Sequence, residues 1–235
     1  MKSFKNIYNF IRYLGTRTFV YKYFPTLFLF FKFGVYKNIN QEKYWDQVHQ
    51  AEKSHQTTRF GKRVYKILKR NINFNHKSIL DVGCGKGDFL LSIKENCLKY
   101  GVDISQSAVN YLKNKGIRVK RRCLPDIGFK KEFDIITCFE TLEHVENWKK
   151  TLLIIISRLK SDGYMIISVP FENRIVIREH INYFDVQQLY SFLRNKLEIL
   201  EIKFLGPWFL IIGQKMKYEP KHKEKILGYH LNIFK

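Results

Sequence analysis

From residue 78 onward two apolar patterns take turns along the chain. Short, nearly continuous apolar runs of roughly four to eight residues are the mark of strands buried on both faces. Strands are expected at 78–82, 98–103, 117–121, 133–138, 163–169, 197–204 and 208–213, with the continuous runs in the middle of this set and charged residues interleaved at 117–121 and 197–204. Between them apolar residues recur at three- and four-residue intervals, which predicts helices near 87–95, 106–115, 148–159 and 185–195. Alternation of this kind predicts a mostly parallel sheet with helices on both faces. Upstream, residues 41–75 read as helical, with Tyr44, Trp45 and Val48, then Val64, Leu68 and Ile72, on apolar faces.

The first 40 residues differ from the rest. Ile7, Phe10, Ile11 and Leu14 keep helical spacing among Lys2, Lys5, Arg12 and Arg17. The uncharged run Tyr23–Phe31 follows, broken by Pro25 and bounded by Lys22 and Lys32. Nine residues cannot cross a bilayer as a helix, which needs about twenty. No small-x-small cleavage site follows it, so a cleaved signal peptide is not expected. Two readings stand side by side: an interfacial anchor with cationic and aromatic flanks, or a pair of helices packed as a lid on the downstream domain. The expected organisation is a basic aromatic extension (1–40), a helical lead-in (41–75), an alternating strand–helix domain (76–214) and a Lys-rich tail (215–235).

The chemistry concentrates where strands end. Residues Ser78 to Asp88 read Ser-Ile-Leu-Asp-Val-Gly-Cys-Gly-Lys-Gly-Asp, and Gly101-Val-Asp-Ile-Ser lies one strand–helix unit later. An apolar run containing Asp81 leads into glycines at every second position, then an amphipathic segment from Phe89. That is a strand, a tight turn and a helix, with no side chain to obstruct a nucleoside ligand. Asp103 stands at the distance where an acid holds both ribose hydroxyls. A dinucleotide site would place its third fingerprint glycine where Asp88 stands, and an acid there opposes a pyrophosphate at a helix N-terminus. A cationic sulfonium cofactor meets no such conflict.

This segment resembles motif I of the class I S-adenosylmethionine-dependent methyltransferases, (Leu/Ile)-(Leu)-Asp-x-Gly-x-Gly-x-Gly, and Gly-Val-Asp-Ile-Ser resembles their second motif. The resemblance covers about residues 76–213. It implies a Rossmann-like class I fold with a seven-stranded sheet closed by a reversed hairpin, plus a helical N-terminal extension, and S-adenosylmethionine as cofactor. By resemblance and position, Asp81, Gly83, Cys84, Gly85 and Gly87 lie along the methionyl part. Asp103 takes the ribose diol, Ile104 flanks the adenine with Leu124 nearby, and the backbone at Phe139 and Glu140 faces the amino group. One departure concerns the adenine. Where such enzymes carry Gly-Asp after the third strand, this chain reads Arg121-Arg122-Cys123-Leu124-Pro125-Asp126, leaving adenine recognition to backbone groups or Asp126.

The stretch Phe133-Asp-Ile-Ile-Thr-Cys-Phe-Glu140-Thr-Leu-Glu143-His144-Val145 resembles motif IV of small-molecule methyltransferases. It is similar in particular to the ubiquinone-biosynthesis O-methyltransferases, in parts of which the three positions of Glu-x-x-Glu-His are assigned to a divalent metal. Three readings remain open. His144 removes a hydroxyl proton as the methyl moves; Glu140, Glu143 and His144 bind a divalent ion that acidifies the hydroxyl; or the pair orients its loop. A metal is an alternative here and not the expectation. Further on, Ser168-Val-Pro170 and Glu179-His180-Ile-Asn182-Tyr183-Phe184-Asp185 resemble the element following the fifth strand. His180 and Tyr183 then line the acceptor pocket or simply pack, and Asp185 caps the next helix.

Charge adds a question about partners. Lys and Arg number 42 against 21 Asp and Glu, a formal +21, which favours anionic company. The abundance of Lys, Asn, Ile, Phe and Tyr also fits an AT-rich coding bias, which carries no function. A nucleic-acid methyltransferase is the alternative that the charge favours, yet the fourth strand lacks the Asn/Asp-Pro-Pro-(Tyr/Phe) element of amino-directed base methylases. An inactive cofactor-binding scaffold is a further alternative. Cys84, Cys97, Cys123 and Cys138 show no C-x-x-C pairing, so reduced thiols and a cytoplasmic location are expected, with or without peripheral contact at an anionic membrane face. The leading expectation is methyl transfer to a hydroxyl of a small, lipid-linked or glycan-type acceptor.

Overall fold

The computed structural model describes residues 38–51, 58–171 and 179–216. Most of the 1–40 extension and of the 215–235 tail lies outside these residues. Strands β1 (Ser78–Val82), β2 (Leu98–Asp103), β3 (Arg118–Arg121), β4 (Phe133–Phe139), β5 (Leu159–Pro170), β6 (Leu197–Leu205) and β7 (Trp208–Lys215) make one sheet. Its order is β3-β2-β1-β4-β5-β7-β6. Strands β1 to β5 pair in parallel, and β7 runs antiparallel to both β5 and β6. This is the closing reversed hairpin expected from two consecutive strands.

All five residues of β1 are buried, as a central strand covered on both faces requires. Its side chains alternate: Leu80 and Val82 face a core shared with Leu152, Ile155 and Leu189, while Ile79 faces one shared with Leu68, Phe74, Leu90 and Leu112. Helices α1 (Glu42–Ala51) and α2 (Thr58–Leu68) precede the sheet, and α3 (Asp88–Ser92), α4 (Gln106–Lys113), α5 (Trp148–Ser157) and α6 (Val186–Leu193) connect its strands. The helix α2 enters the core through Val64, Tyr65 and Leu68. Its Gly61 lies so close to the start of α3 that a Cβ there would stand 2.6 Å from the Asp88 carbonyl carbon.

The fifth strand begins earlier than its apolar run predicts. Leu159 already pairs with Phe133, and the ladder then skips to Ile135↔Tyr164. The polar Lys160-Ser-Asp-Gly163 insert forms an irregular hump with Asp162 at φ 60, which hides the start of the strand from a hydrophobicity pattern.

After β1 the chain steps outward to β2 and β3, then returns to place β4 on the other side of β1. The crevice beyond the C-terminal ends of β1 and β4 is therefore the topological switch point, where open α/β sheets bind ligands.

Candidate active site

Three loops meet at that crevice. After β1 the chain turns at Gly83 (φ 71) and Gly85 (φ 46). The amides of Gly83 and Cys84 both donate to the Val102 carbonyl, at 2.8 and 3.1 Å. A Cβ at Gly83 would stand 2.2 Å from Thr141 Oγ1, so a glycine is required by the approach of the loop after β4 as well as by its own φ. The Cys84 thiol points inward: Gly101 of β2 leaves room for its sulfur. Burial, with Asp103 and Asp81 nearby, pushes that thiol well above its ordinary range, so it is inert and contributes to the turn through its backbone.

Asp103 ends β2 nearly buried and holds two loops at once. Its Oδ2 accepts from the Gly85 amide at 2.8 Å and its Oδ1 from the Ser105 amide at 2.9 Å. Each oxygen keeps a further acceptor site, as a ribose diol needs. Asp81 lies deeper, accepting from Thr137 Oγ1 at 2.7 Å. Burial, reinforced by Asp103 and Asp88, pushes its carboxyl up to about 7. Ile104 and Leu124 are half-buried after β2 and β3. Phe139 stacks edge-on with Phe60 and Phe89, which fixes the end of β4. Asp126, the alternative adenine contact, is committed locally: it pairs with Arg122 at 3.1 Å and accepts from the Gly128 amide at 2.7 Å.

Helix α1 lies across these loops without burying any residue of its own. Asp46 Oδ1 accepts from Ser105 Oγ at 2.6 Å and from the Ser107 amide at 3.0 Å. Trp45 meets the His144 ring edge-on at 4.8 Å. His49 stands over Gly85, with its Cε1 3.1 Å from where a Cβ would be. Glu42 pairs with Arg121 at the end of β3. The apolar spacing predicts a helix here, yet nothing in the sequence marks Glu42, Trp45, Asp46 or His49 as a site residue. The signal was absent, since polar contacts from a helix that buries nothing leave no periodic mark.

On the acceptor side, Leu142–His144 forms one 3-10 turn after β4. The 180–183 segment is clasped to it. Asn182 Nδ2 donates to the carbonyls of Leu142 (2.9 Å) and Val145 (2.6 Å), and the amides of Ile181 and Asn182 both donate to the Glu143 carbonyl. This clasp brings His180 onto His144, ring centroids 5.1 Å apart. Tyr183 donates to the His180 carbonyl at 3.1 Å, and Asp185 caps α6 by accepting from the Gln188 amide at 2.7 Å.

The hydrogen bond of His144 Nδ1 to the Glu179 carbonyl, 3.0 Å, fixes the tautomer, because a carbonyl only accepts. The ring's lone pair therefore sits on Nε2. Burial, then the neighbouring His180, lowers this imidazole to about 4, so it is neutral throughout the physiological range.

Glu143 is 1% exposed, and among the described residues neither of its carboxylate oxygens has a hydrogen-bond donor. Burial, and Glu140 close by, push its carboxyl well above the usual range. A carboxylate so placed calls for a proton or a cation. One ligand atom each from Glu143, His144 and His180 lies within 4.8 Å of the others. Two imidazoles and one carboxylate suit a borderline divalent ion, so this trio fits the metal alternative. Glu140 is outside the trio. Its backbone sits at φ 47, and its carboxylate accepts from Ser168 Oγ at 2.7 Å and from the Trp208 indole. Burial raises it to about 7. Of Glu140, Glu143 and His144, the structure thus groups only the last two, with His180 as the third member.

The sheet order, the glycine turn clamped by Asp103 and the loop after β4 define a class I S-adenosylmethionine-dependent methyltransferase fold. The comparisons agree. The family model described as a methyltransferase domain matches residues 50–197, well over half of the chain, and the chain belongs to that family. S-adenosylmethionine is accordingly its cofactor. The chain is 33% identical over 119 residues to a ubiquinone biosynthesis O-methyltransferase of Coxiella burnetii (strain Dugway 5J108-111), covering 46% of this chain and 50% of that one. It is 27% identical over 177 residues to the protein of the same name from Rickettsia bellii (strain OSU 85-389), covering 60% and 70%. The chain thus spans about half the length of the Coxiella relatives it matches. Magnesium protoporphyrin IX methyltransferase from Synechocystis PCC 6803, solved with bound SAM, superposes with a TM-score of 0.56 at 16% identity, covering 73% of this chain and 89% of that one.

Proposed function

We propose that this chain transfers a methyl group from S-adenosylmethionine to a hydroxyl oxygen of a small, lipid-linked acceptor. The observation that carries the reading is His144, a neutral imidazole whose Nδ1–H is spent on Glu179, beside the cofactor turn. As the sulfur–methyl bond breaks and the oxygen–methyl bond forms, the acceptor proton has a lone pair to go to at Nε2. Trp45 covers one edge of the His144 ring, and the clamped loops would hold donor and acceptor in line. The relatives named for ubiquinone biosynthesis support an acceptor of the lipid-linked kind.

A second reading is favoured by the orphaned oxygens of Glu143. A divalent ion on Glu143, His144 and His180 would supply Lewis acidity to the acceptor hydroxyl. Independently of it, Asn182 and Glu179 keep the two imidazoles facing each other.

The test is transfer of labelled methyl from the cofactor into a cell extract fractionated into lipid, glycan and RNA. Label in the lipid fraction as an alkali-stable ether is expected. Label in RNA, or on nitrogen or carbon of the product, overturns the proposal.

A further inference from the structure

We propose that the β3 edge of the sheet is a docking surface for an anionic lipid bilayer. Between residues 113 and 131 the chain carries eight Lys or Arg and a single acid, Asp126. All eight cations are exposed, and the acid is paired with Arg122. Edge strands are commonly protected from pairing by charge, but charge of either sign serves that end. Here one sign is concentrated.

The arrangement of the cations is also specific. Arg118 and Lys131 donate to the same oxygen, Tyr100 Oη, at 2.8 and 3.1 Å. Lys131 Nζ stands 4.4 Å from the Tyr100 centroid, and Lys120 Nζ 4.7 Å from that of Phe129. Two cations converging on one neutral oxygen repel each other, and neither has a carboxylate partner among the described residues. A layer of phosphates relieves that repulsion. Burial opposes ionisation of the Tyr100 phenol, yet the two cations outweigh it and lower its titration range.

Lipid is favoured over nucleic acid by the rings beneath. Tyr100 and Phe133 are 6% and 0% exposed and Phe129 is half-buried under Lys120, so they anchor the cations from below. The one exposed ring among these residues, Tyr111, is covered by Lys115, and a single ring is no platform for successive bases. The edge also reaches the cleft, because Arg121 ends β3 and pairs with Glu42 of α1. A cleft opening beside the bilayer suits a lipid-linked acceptor, and to that extent the inference rests on the proposed function.

The experiment is flotation of the full chain with phosphatidylcholine vesicles, with and without phosphatidylglycerol, and no acceptor present. The variant Arg118→Gln/Lys120→Gln/Lys131→Gln is compared with Lys62→Gln/Lys66→Gln/Arg70→Gln, which removes the same charge from exposed positions on and just after α2. A second variant, Lys120→Gln/Lys130→Gln, leaves the Tyr100 partners intact. Retained cofactor binding and an unchanged thermal midpoint certify folding. Expected is binding only to the anionic vesicles, weakened roughly a hundredfold in the β3 triple variant and about thirtyfold in the double. The α2 control should change less than about twofold. Equal losses in both triple variants would reduce the effect to net charge. Undiminished vesicle binding in the β3 variants also overturns the proposal, as does no binding by the wild type. None of these outcomes bears on methyl transfer, which the flotation does not measure.

Discussion

The carboxylate of Asp103 accepts the amide hydrogen of Gly85 at 2.8 Å, so the acid at the end of β2 and the glycine turn are one rigid piece. The same side chain holds the Ser105 amide, which starts α4. Removing it frees the loops on both sides of the cofactor. Asp103→Ala is expected to weaken S-adenosylmethionine by about a hundredfold or more in calorimetric titration. Asp103→Asn, which keeps one acceptor oxygen, should lose less. Equal affinity for wild type and the alanine variant would remove Asp103 from the cofactor site.

Asp46 ties α1 to the loop after β2. Burial disfavours its charge, yet hydrogen bonds from Ser105 and Ser107 outweigh this and lower its carboxyl below the usual range. Because α1 contributes no buried residue, Asp46→Ala should lower the melting temperature only by the loss of the Ser105 and Ser107 hydrogen bonds, a few degrees at most. Cofactor affinity should fall about tenfold as the roof loosens. A drop in stability without a change in affinity would show α1 to be scaffold.

The neutral state of His144 has a thermodynamic signature. Its folded value of about 4 lies below the ordinary 6.5, so the unfolded chain takes up the proton first as pH falls. Stability should therefore decline from about pH 6.5 downward and level off below about 4, by about 3 kcal/mol in all. Denaturant titrations at pH 7 and 4.5 should differ less in His144→Gln than in wild type. The ring's own proton resonance should titrate near 4 and leave it neutral across the pH range of catalysis.

Asp134 behaves in the opposite sense. It accepts from the Ser78 amide (2.8 Å) and hydroxyl (2.6 Å) and pairs with Lys160 at 3.0 Å, joining the starts of β1, β4 and β5. Partial burial raises its carboxyl, but these partners prevail and depress it to about 2. The stabilisation is present above the unfolded value near 3.8 and is lost as pH falls through about 2. Asp134→Ala should cost about 2 kcal/mol at neutral pH in urea unfolding, with the difference vanishing in strong acid.

The strands and the cofactor loops were legible because each is written in consecutive residues. A buried parallel strand must be apolar throughout, and a turn that brings backbone against backbone must use glycine, so Ser78–Gly87 and Asp103 could be read directly. The acceptor side was harder. Glu143 and His144 were visible as neighbours, but His180 joins them only through the Asn182 clasp, a long-range arrangement with no sequence period. Likewise Asp46 is an ordinary acid on an ordinary helix until the Ser105 hydroxyl is found beneath it. The early start of β5 escaped for a local reason, since the polar hump from Lys160 to Gly163 breaks the apolar run.

That α1 buries nothing bears on how the protein turns over. Its attachments to Ser105, Ser107, His144 and Arg121 can be exchanged for water one at a time, and none of them touches the two apolar layers around the sheet. With the cofactor at the glycine turn, loosening α1 alone is expected to speed its exchange while the melting temperature barely moves, so that turnover and foldedness are tuned by separate parts of the chain.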